Sequence, residues 1–231
     1  LAYSSAHFAN KVIKDNKIMM NNIYKNSDNF EKIIHISTTA VQGYGTDPPN
    51  KLKSNYCWDD FYTLAKSVQE AEIKWTDIKS NYKDLKLHMI GRLQSNKAKK
   101  AIKIFDYIHS LDNAKLASKI FQYQNELNKK VKLFIQVNIG KEDQKSGIPI
   151  KDLDNFYNYC KRELSLDVVG LMCLPPVKSE SENYFKLLKD SAEKINLKDL
   201  SMGMSSDYEK ATLNGATYLR LGSAILGARR V

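Results

Sequence analysis

Short apolar runs alternate with amphipathic segments of helix length through most of this 231-residue chain, and this alternation constrains the fold more than any other feature. Strand-like runs occupy residues 85–91, 107–111, 132–139, 166–174, 197–202 and 218–221. Between them lie lysine-rich amphipathic segments, for example 95–104, 113–128, 150–164 and 179–195. Because parallel neighbouring strands need a long crossover connection, the alternation predicts a parallel sheet with helices packed against it.

The amino-terminal part supplies the remaining elements of the predicted fold. Residues 32–37 form a β-branched run typical of a buried strand, and an eighth strand is expected within 61–67. An amphipathic helix is predicted over 6–26, and an irregular loop over 42–57, which contains two glycines and two adjacent prolines. Eight strands predict an α/β fold, a single-domain (β/α)8 TIM-type barrel spanning 1–231. A doubly wound open sheet also fits the periodicity, but no GxGxxG or GxxxxGK[ST] motif follows the first strand.

Charge and cysteine usage narrow the classes of function. The formal charge is +10, but the lysines are dispersed along helical segments beside Glu, Asp and Asn, as on solvated helix faces, so nucleic-acid binding is the minority hypothesis. Three separated cysteines and four histidines without ligand spacing predict neither a disulfide framework nor a metal site. The absence of a run of about eighteen apolar residues or a signal-peptide core predicts a cytoplasmic protein without a membrane partner.

Two glycine-bearing segments follow the last two predicted strands, where barrels of this type place phosphate sites: SMGMSSD (201–207) and RLGS (220–223). Gly203 and Gly222 would allow the backbone to approach a phosphate, and Arg220 would add a fixed positive charge. The serines that offer hydroxyl groups are Ser201, Ser206 and Ser223. Each segment alone fits a turn with a helix cap or a strand end, but together on adjacent strands they favour a phosphate ligand.

From His88 to the carboxyl terminus the chain resembles the YggS/PROSC family of pyridoxal 5′-phosphate (PLP) homeostasis proteins, which share the fold of the alanine racemase N-terminal domain. The matching stretches, in the order of the family, are HMIGRLQSNK (88–97), IQVNI (135–139) with KSGI (145–148), GLMCLP (170–175), SMGMSSD (201–207) and RLGSAILGAR (220–229). Several motifs in one order over more than half of the chain make an accidental similarity improbable.

The resemblance implies PLP as the cofactor and assigns residues to it. The residues that would surround the phosphate are Ser201, Gly203, Met204, Gly222 and Ser223. Arg220 would face the pyridine nitrogen, and because a guanidinium stays protonated, it disfavours a pyridinium and weakens the ring as an electron sink. His88 is expected near the bound ring, with a buried core histidine as the alternative. No catalytic residue and no metal ligand is assigned.

The amino-terminal part departs from the pattern of the family. Where the first strand of relatives ends in a motif like AVSKTK, whose first lysine forms a Schiff base with PLP, this chain reads HISTTA (35–40), with Thr38 at the lysine position. A threonine hydroxyl cannot form an imine, so covalent attachment in the manner of the family is not expected. The FGENY motif of the second strand is also absent. Lys66 in that stretch is a candidate substitute amine, with a surface lysine as the alternative, and Lys51 and Lys53 in the preceding loop are candidates of the same kind.

We therefore expect a PLP-binding homeostasis or regulatory protein, a monomer or homodimer, that holds PLP mainly through its phosphate and without strong catalysis. The association should be reversible and weaker than in relatives. One alternative is a degenerate member that keeps the barrel, no longer binds PLP and acts through another phosphate ligand or a partner. A second alternative is an erroneous gene model that replaced the lysine-bearing strand.

Overall fold

The computed structural model of the chain describes residues 86–140, 146–176, 180–222 and 224, together with the backbone of two short strands at 33–36 and 62–65. Nine strands occur in these ranges, and every pairing between them is parallel. Their bounds are β1 (Ile33–Ile36), β2 (Tyr62–Ala65), β3 (Lys86–Met89), β4 (Tyr107–Leu111), β5 (Lys132–Asn138), β6 (Ile148–Pro149), β7 (Val168–Cys173), β8 (Asp199–Met204) and β9 (Tyr218–Leu221).

Eight of the strands close into a ring in the order β1–β2–β3–β4–β5–β7–β8–β9. Closure comes from pairing of the last strand with the first, with Ile34 opposite Arg220. The two-residue strand β6 is an addition that pairs only with β5. The predicted (β/α)8 barrel is therefore confirmed, and the alternative of an open doubly wound sheet is wrong, because such a sheet leaves its edge strands unpaired.

The helices follow the strands as the alternation predicted. They are α1 (Ala98–Ile104), α2 (Ala114–Leu127), α3 (Leu153–Asn158), α4 (Ser181–Lys194) and α5 (Tyr208–Leu213). A 3-10 turn at Ser95–Lys97 leads into α1, and a π-helical turn at Tyr159–Glu163 continues α3. The predicted leading helix over 6–26 and the loop over 42–57 lie outside the described residues. In the ranges that are described, no helix combines the length and the apolar character that crossing a bilayer requires.

The core has an outer and an inner layer because alternate residues of a barrel strand point to opposite faces. The outer layer lies between strands and helices and includes Leu87 and Ile108 from strands and Leu116 from α2. The inner layer, inside the ring, is a separate cluster formed by four residues of four different strands, Tyr107, Phe134, Met172 and Tyr218. Strands buried on both faces explain why the sequence shows continuous apolar runs rather than alternation.

Capping explains the bounds of α2. The Asn113 side chain accepts a hydrogen bond of 2.8 Å from the amide of Leu116, which satisfies one of the free donors of the first turn. The helix ends at Leu127 and is capped by Asn128, which adopts the left-handed conformation with φ 47°. Both residues are asparagines that flank the apolar periodicity, which is why the sequence predicted this helix within one residue at each end.

Close packing at the carboxyl end of β8 requires a glycine at position 203. Gly203 has φ +86°, and a Cβ there would lie 2.6 Å from Ala211 Cβ and 3.2 Å from Tyr208 Cα of α5. Real carbon atoms do not approach so closely, so any side chain would displace α5 from the strand. Gly215 has the same φ of +86°, but the nearest atoms to a Cβ there are 3.9 Å away, in the Lys189 side chain.

These two glycines form a matched pair for a stability test. Gly203→Ala should lower the free energy of unfolding by about 2–4 kcal/mol, because the methyl group meets α5 in addition to the cost of the left-handed backbone. Gly215→Ala should cost only about 1 kcal/mol, since it carries the backbone cost alone. Urea denaturation followed by circular dichroism measures both values. Equal destabilisation by the two substitutions would contradict the packing role of Gly203.

Candidate ligand-binding site

The two predicted glycine-bearing segments lie side by side. Strands β8 and β9 pair in parallel, with Ser201 opposite Tyr218 and Met204 opposite Arg220. An advance of three residues along β8 therefore matches an advance of two along β9, as in a β-bulge. Gly203, which has a positive φ, lies within this bulge. The register brings Met204–Asp207, at the end of β8, next to Gly222 and Ala224, which follow β9. We call this region the corner.

Hydrogen bonds join the two ends into one corner. The Ser205 hydroxyl oxygen accepts from the amide of Gly222 at 2.9 Å and from the amide of Ala224 at 3.2 Å. Two backbone donors that follow β9 therefore converge on a single oxygen position. On the β8 side, the Asp207 carboxylate accepts from the Met204 amide at 2.7 Å. The amides of both segments thus point at oxygen atoms at this end of the ring, and backbone amides that converge in this way are a common feature of anion sites.

Further donors are available in the turn that follows β8. Within the described part of the chain, the amides of Ser205 and Ser206 have no hydrogen-bond acceptor. Met204 is 36% exposed, so this turn lies at the surface of the barrel end. A ligand that reaches the corner would therefore meet backbone donors before it meets the packed core.

A protonated arginine lies in the barrel interior next to this corner. The Arg220 side chain on β9 is only 1% exposed, and it donates to Ser201 Oγ at 2.8 Å and to the carbonyl oxygen of Cys173 at 2.7 Å. Desolvation lowers the pKa of Arg220 to about 10, partly opposed by Cys173 and Asp207. The guanidinium is therefore charged at neutral pH.

A chain of buried polar side chains continues from Arg220 across the ring. His109 on β4 bonds to Ser201 Oγ through Nδ1 at 2.8 Å and to His88 Nδ1 through Nε2 at 2.9 Å. The two imidazoles stack on aromatic rings of the inner layer, with centroid distances of 4.1 Å from His88 to Tyr107 and 4.2 Å from His109 to Phe134. Burial, and secondarily the charge of Arg220, lower the pKa of His109 well below its usual value, so this imidazole is neutral.

The Cys173 thiol is not a reactive group of the site. Its side chain is fully buried at the end of β7. Burial raises the pKa of the thiol to about 12, which keeps it protonated and poorly nucleophilic at neutral pH. Cys173 contributes its backbone carbonyl oxygen, not its sulfur.

The structure corrects the reason given for two predicted residues. The glycine at 203 is required by α5, since the missing Cβ faces Ala211 rather than an approaching ligand. The Ser201 hydroxyl is fully buried and bonded to His109 and Arg220, so it lies on the interior side and not at the surface of the corner. Any contact of Gly203 or Ser201 with a phosphate therefore depends on backbone groups.

The remaining predicted residues divide into two groups. Arg220, Gly222 and Met204 lie at the corner or directly beside it, and His88 joins the interior chain through His109. Thr38 and Ser223 lie outside the described residues, as does Lys66. The strand β1, which ends two residues before Thr38, pairs with β9.

Sequence reasoning missed two residues of this arrangement, Ser205 and His109. The sequence-based candidate in the turn that follows β8 is Ser206, because the spacing of SMGMSSD does not reveal which serine turns towards β9. One feature of the sequence could have identified His109: it is a polar residue at an inward-facing position of the fully buried strand β4. Within the described residues, no group of three or more His, Cys, Asp or Glu side chains could hold a metal ion.

A concavity lies across the ring from this corner. It has a volume of about 1010 Å³ and lies beside the end of β3 and the start of α2. Four cationic side chains line it together with polar ones: Arg92, Lys97, Lys115 and Lys119. Among the described residues that line it, no polar side chain is buried, whereas the corner of β8 and β9 combines convergent amides with the interior guanidinium.

Comparison with known proteins matches most of the chain. The family described as "Alanine racemase, N-terminal domain" matches residues 62–230. A pyridoxal phosphate homeostasis protein of Synechocystis is 38% identical over 171 residues, which cover 70% of this chain and 78% of that protein. The protein of the same name from Aquifex aeolicus is 34% identical over 195 residues, which cover 80% of this chain and 84% of that protein.

Solved structures agree with this match. PipY of Synechococcus elongatus with PLP bound aligns with a TM-score of 0.70 at 29% identity, over 85% of this chain and 92% of PipY. Alanine racemase of Clostridium difficile aligns with a TM-score of 0.66 at 15% identity, over 94% of this chain and 57% of that enzyme. The second similarity shows a shared fold.

The neutral, buried state of His109 predicts a loss of stability in mild acid. Because its pKa in the folded state is lowered, only the unfolded chain takes up this proton as the pH falls below about 6.5. This group alone should remove on the order of 1 kcal/mol of the free energy of unfolding between pH 7.5 and pH 5.5. Urea denaturation at both pH values, for the native chain and for His109→Gln, measures the difference. The same pH dependence in both proteins would contradict the prediction.

Proposed function

The chain belongs to the alanine racemase N-terminal domain family, and from that membership we propose that it is a PLP-binding homeostasis protein. It holds PLP reversibly, mainly through the phosphate, and without strong catalysis. Relatives at 34–38% identity are named pyridoxal phosphate homeostasis proteins, and PipY has been solved with PLP bound. We further propose that the protein acts in the cytoplasm as a single barrel domain, a monomer or homodimer, with a small-molecule ligand rather than a nucleic acid.

One observation carries the proposal more than any other. The amides of Gly222 and Ala224 already converge on one oxygen, the Ser205 hydroxyl. A phosphate oxygen can take the same two hydrogen bonds, with more favourable electrostatics because it carries negative charge. The amides of Ser205 and Ser206, which lack an acceptor in the described residues, can complete the set around the other oxygens.

The interior guanidinium fits the ring of the same ligand. Arg220 uses two of its five N–H groups for Ser201 and Cys173, which leaves donors for an acceptor placed against the barrel end. A pyridine nitrogen is such an acceptor. Because Arg220 is charged at neutral pH, it disfavours protonation of that nitrogen, and an unprotonated ring is a weak electron sink. PLP supplies an aldehyde that forms imines with amines, and its reactivity as an electron sink is held low by this contact.

The mode of attachment follows from position 38. From the family resemblance we assign Thr38 to the position of the lysine that reacts with the aldehyde in relatives, and a hydroxyl cannot form an imine. The binding free energy then comes from the phosphate corner and from Arg220. Lys66 remains the candidate for a substitute amine. A phosphate ligand without a ring would use the corner but not the interior guanidinium, which is why PLP is the better fit.

Comparison of PLP with pyridoxal, which lacks the phosphate, tests the proposal. PLP should bind with a saturable change in absorbance and protein fluorescence, and pyridoxal should bind at least tenfold more weakly, because it loses several charge-assisted hydrogen bonds. Equal affinities, or no binding of PLP, would overturn the proposal.

Borohydride reduction followed by mass spectrometry tests the attachment in the same samples. We expect no stoichiometric pyridoxyl adduct on the protein, because Thr38 offers no amine. A stoichiometric adduct that disappears in Lys66→Arg would identify Lys66 as the amine and would contradict non-covalent binding. The Lys161→Arg variant, at an exposed position in the π-helical turn that continues α3, is the matched control for a change of one lysine.

A further inference from the structure

We propose that Ser201 and His109 are positioning residues for Arg220, and that they set the direction of the hydrogen bond that the guanidinium donates to the ligand ring. The inference rests on the proposed function, because it assigns a role in ring binding. It differs from the sequence-based expectation, which placed Ser201 at the phosphate.

Neutral acceptors hold the guanidinium in place. One terminal nitrogen of Arg220 donates to Ser201 Oγ at 2.8 Å and the other donates to the Cys173 carbonyl oxygen at 2.7 Å. Among the described residues, no carboxylate forms an ion pair with Arg220. Because both terminal nitrogens are anchored, the plane of the guanidinium is fixed, and so is the direction of its remaining N–H groups.

Counting hydrogens gives the direction of the interior chain. The Ser201 oxygen accepts from Arg220, and its own hydrogen needs an acceptor because the hydroxyl is fully buried. His109 Nδ1, at 2.8 Å, is the acceptor available to it in the described structure. His109 must then carry its hydrogen on Nε2 and donate it to His88 Nδ1 at 2.9 Å.

This arrangement exists only with a neutral His109. An imidazolium has no acceptor nitrogen, so it could not accept from Ser201. It would also place a second positive charge one hydroxyl away from the Arg220 guanidinium. A neutral imidazole therefore turns the Ser201 hydroxyl so that its lone pairs face Arg220, and the imidazole is held in turn by His88 and by the Phe134 ring.

The role that we assign to this series of hydrogen bonds is to orient the Arg220 guanidinium. Arginine is long and flexible, and an unanchored guanidinium would lose side-chain entropy on binding a ring. Ser201 and His109 remove that freedom before the ligand arrives. Their loss should therefore weaken the contact with the ring while leaving the contacts of the phosphate corner in place, because the corner uses backbone amides of other residues.

Threonine and valine at position 201 provide a matched pair, because they have nearly the same shape and differ by one hydroxyl group. PLP labelled with 15N in the ring is the probe, and its nitrogen and phosphorus chemical shifts are read by NMR. Ser201→Thr should keep the nitrogen shift of the native complex. Ser201→Val should move it towards the value of a pyridine without a hydrogen bond and should weaken PLP binding about tenfold, as expected for loss of a charged hydrogen bond.

The phosphorus signal separates this inference from the proposed function. We expect the shift of bound phosphate to be the same in the native protein, Ser201→Thr and Ser201→Val. If PLP does not bind the native protein, the proposed function is wrong. If PLP binds and the nitrogen shift in Ser201→Val equals that in Ser201→Thr, the positioning role alone is wrong.

Two further variants distinguish loss of the hydrogen bond from changes in packing caused by a larger side chain at position 201. Ser201→Ala removes the hydroxyl without adding volume and should reproduce the nitrogen shift of Ser201→Val. His109→Leu removes the acceptor of the hydroxyl hydrogen and should shift the nitrogen signal in the same direction, by a smaller amount because Ser201 is retained. A native shift in both variants would overturn the inference.

Discussion

Parallel pairing of β8 with β9, with Met204 opposite Arg220, determines where the ligand site can lie. The bulge at Gly203 places the end of β8 so that the Ser205 hydroxyl reaches the amides of Gly222 and Ala224. The same pairing sets Arg220 beside Ser201. Because β9 also pairs with β1, the closure of the ring holds the corner in place. The register between β8 and β9 therefore positions both the corner and Arg220.

Hydrogen bonds in the barrel interior offset the unfavourable burial of the Arg220 charge. A guanidinium taken out of water is unfavourable unless its donors are satisfied. Here Ser201 Oγ and the Cys173 carbonyl oxygen accept from Arg220 on the inner side, and Ser201 is bonded in turn to His109. A ligand would accept from the remaining N–H groups. In the proposed function, the corner supplies backbone donors for the phosphate and Arg220 supplies one cation for the ring. That combination would suit a protein that holds a cofactor and does not activate it strongly.

Local sequence signals were sufficient for the elements of the barrel but not for the interior of the site. Strands buried on both faces give apolar runs, so the eight ring strands were predicted, and the Asn113 cap fixed the start of α2. Strand β8 was predicted two residues early, because the bulge at Gly203 extends it beyond the apolar run. The hydrogen bond between His109 and Ser201 joins residues 92 positions apart and depends on ring closure, so no local sequence pattern predicts it.

A crystal structure of the protein with PLP tests the central claim most directly, through the distance from the phosphate oxygens to the amide nitrogens of the corner. The account predicts a phosphate oxygen within about 3.2 Å of the Gly222 amide nitrogen, in hydrogen-bond range, with the ring directed towards Arg220. A phosphate bound instead in the groove of Arg92, Lys115 and Lys119, or a ring directed away from Arg220, would contradict it.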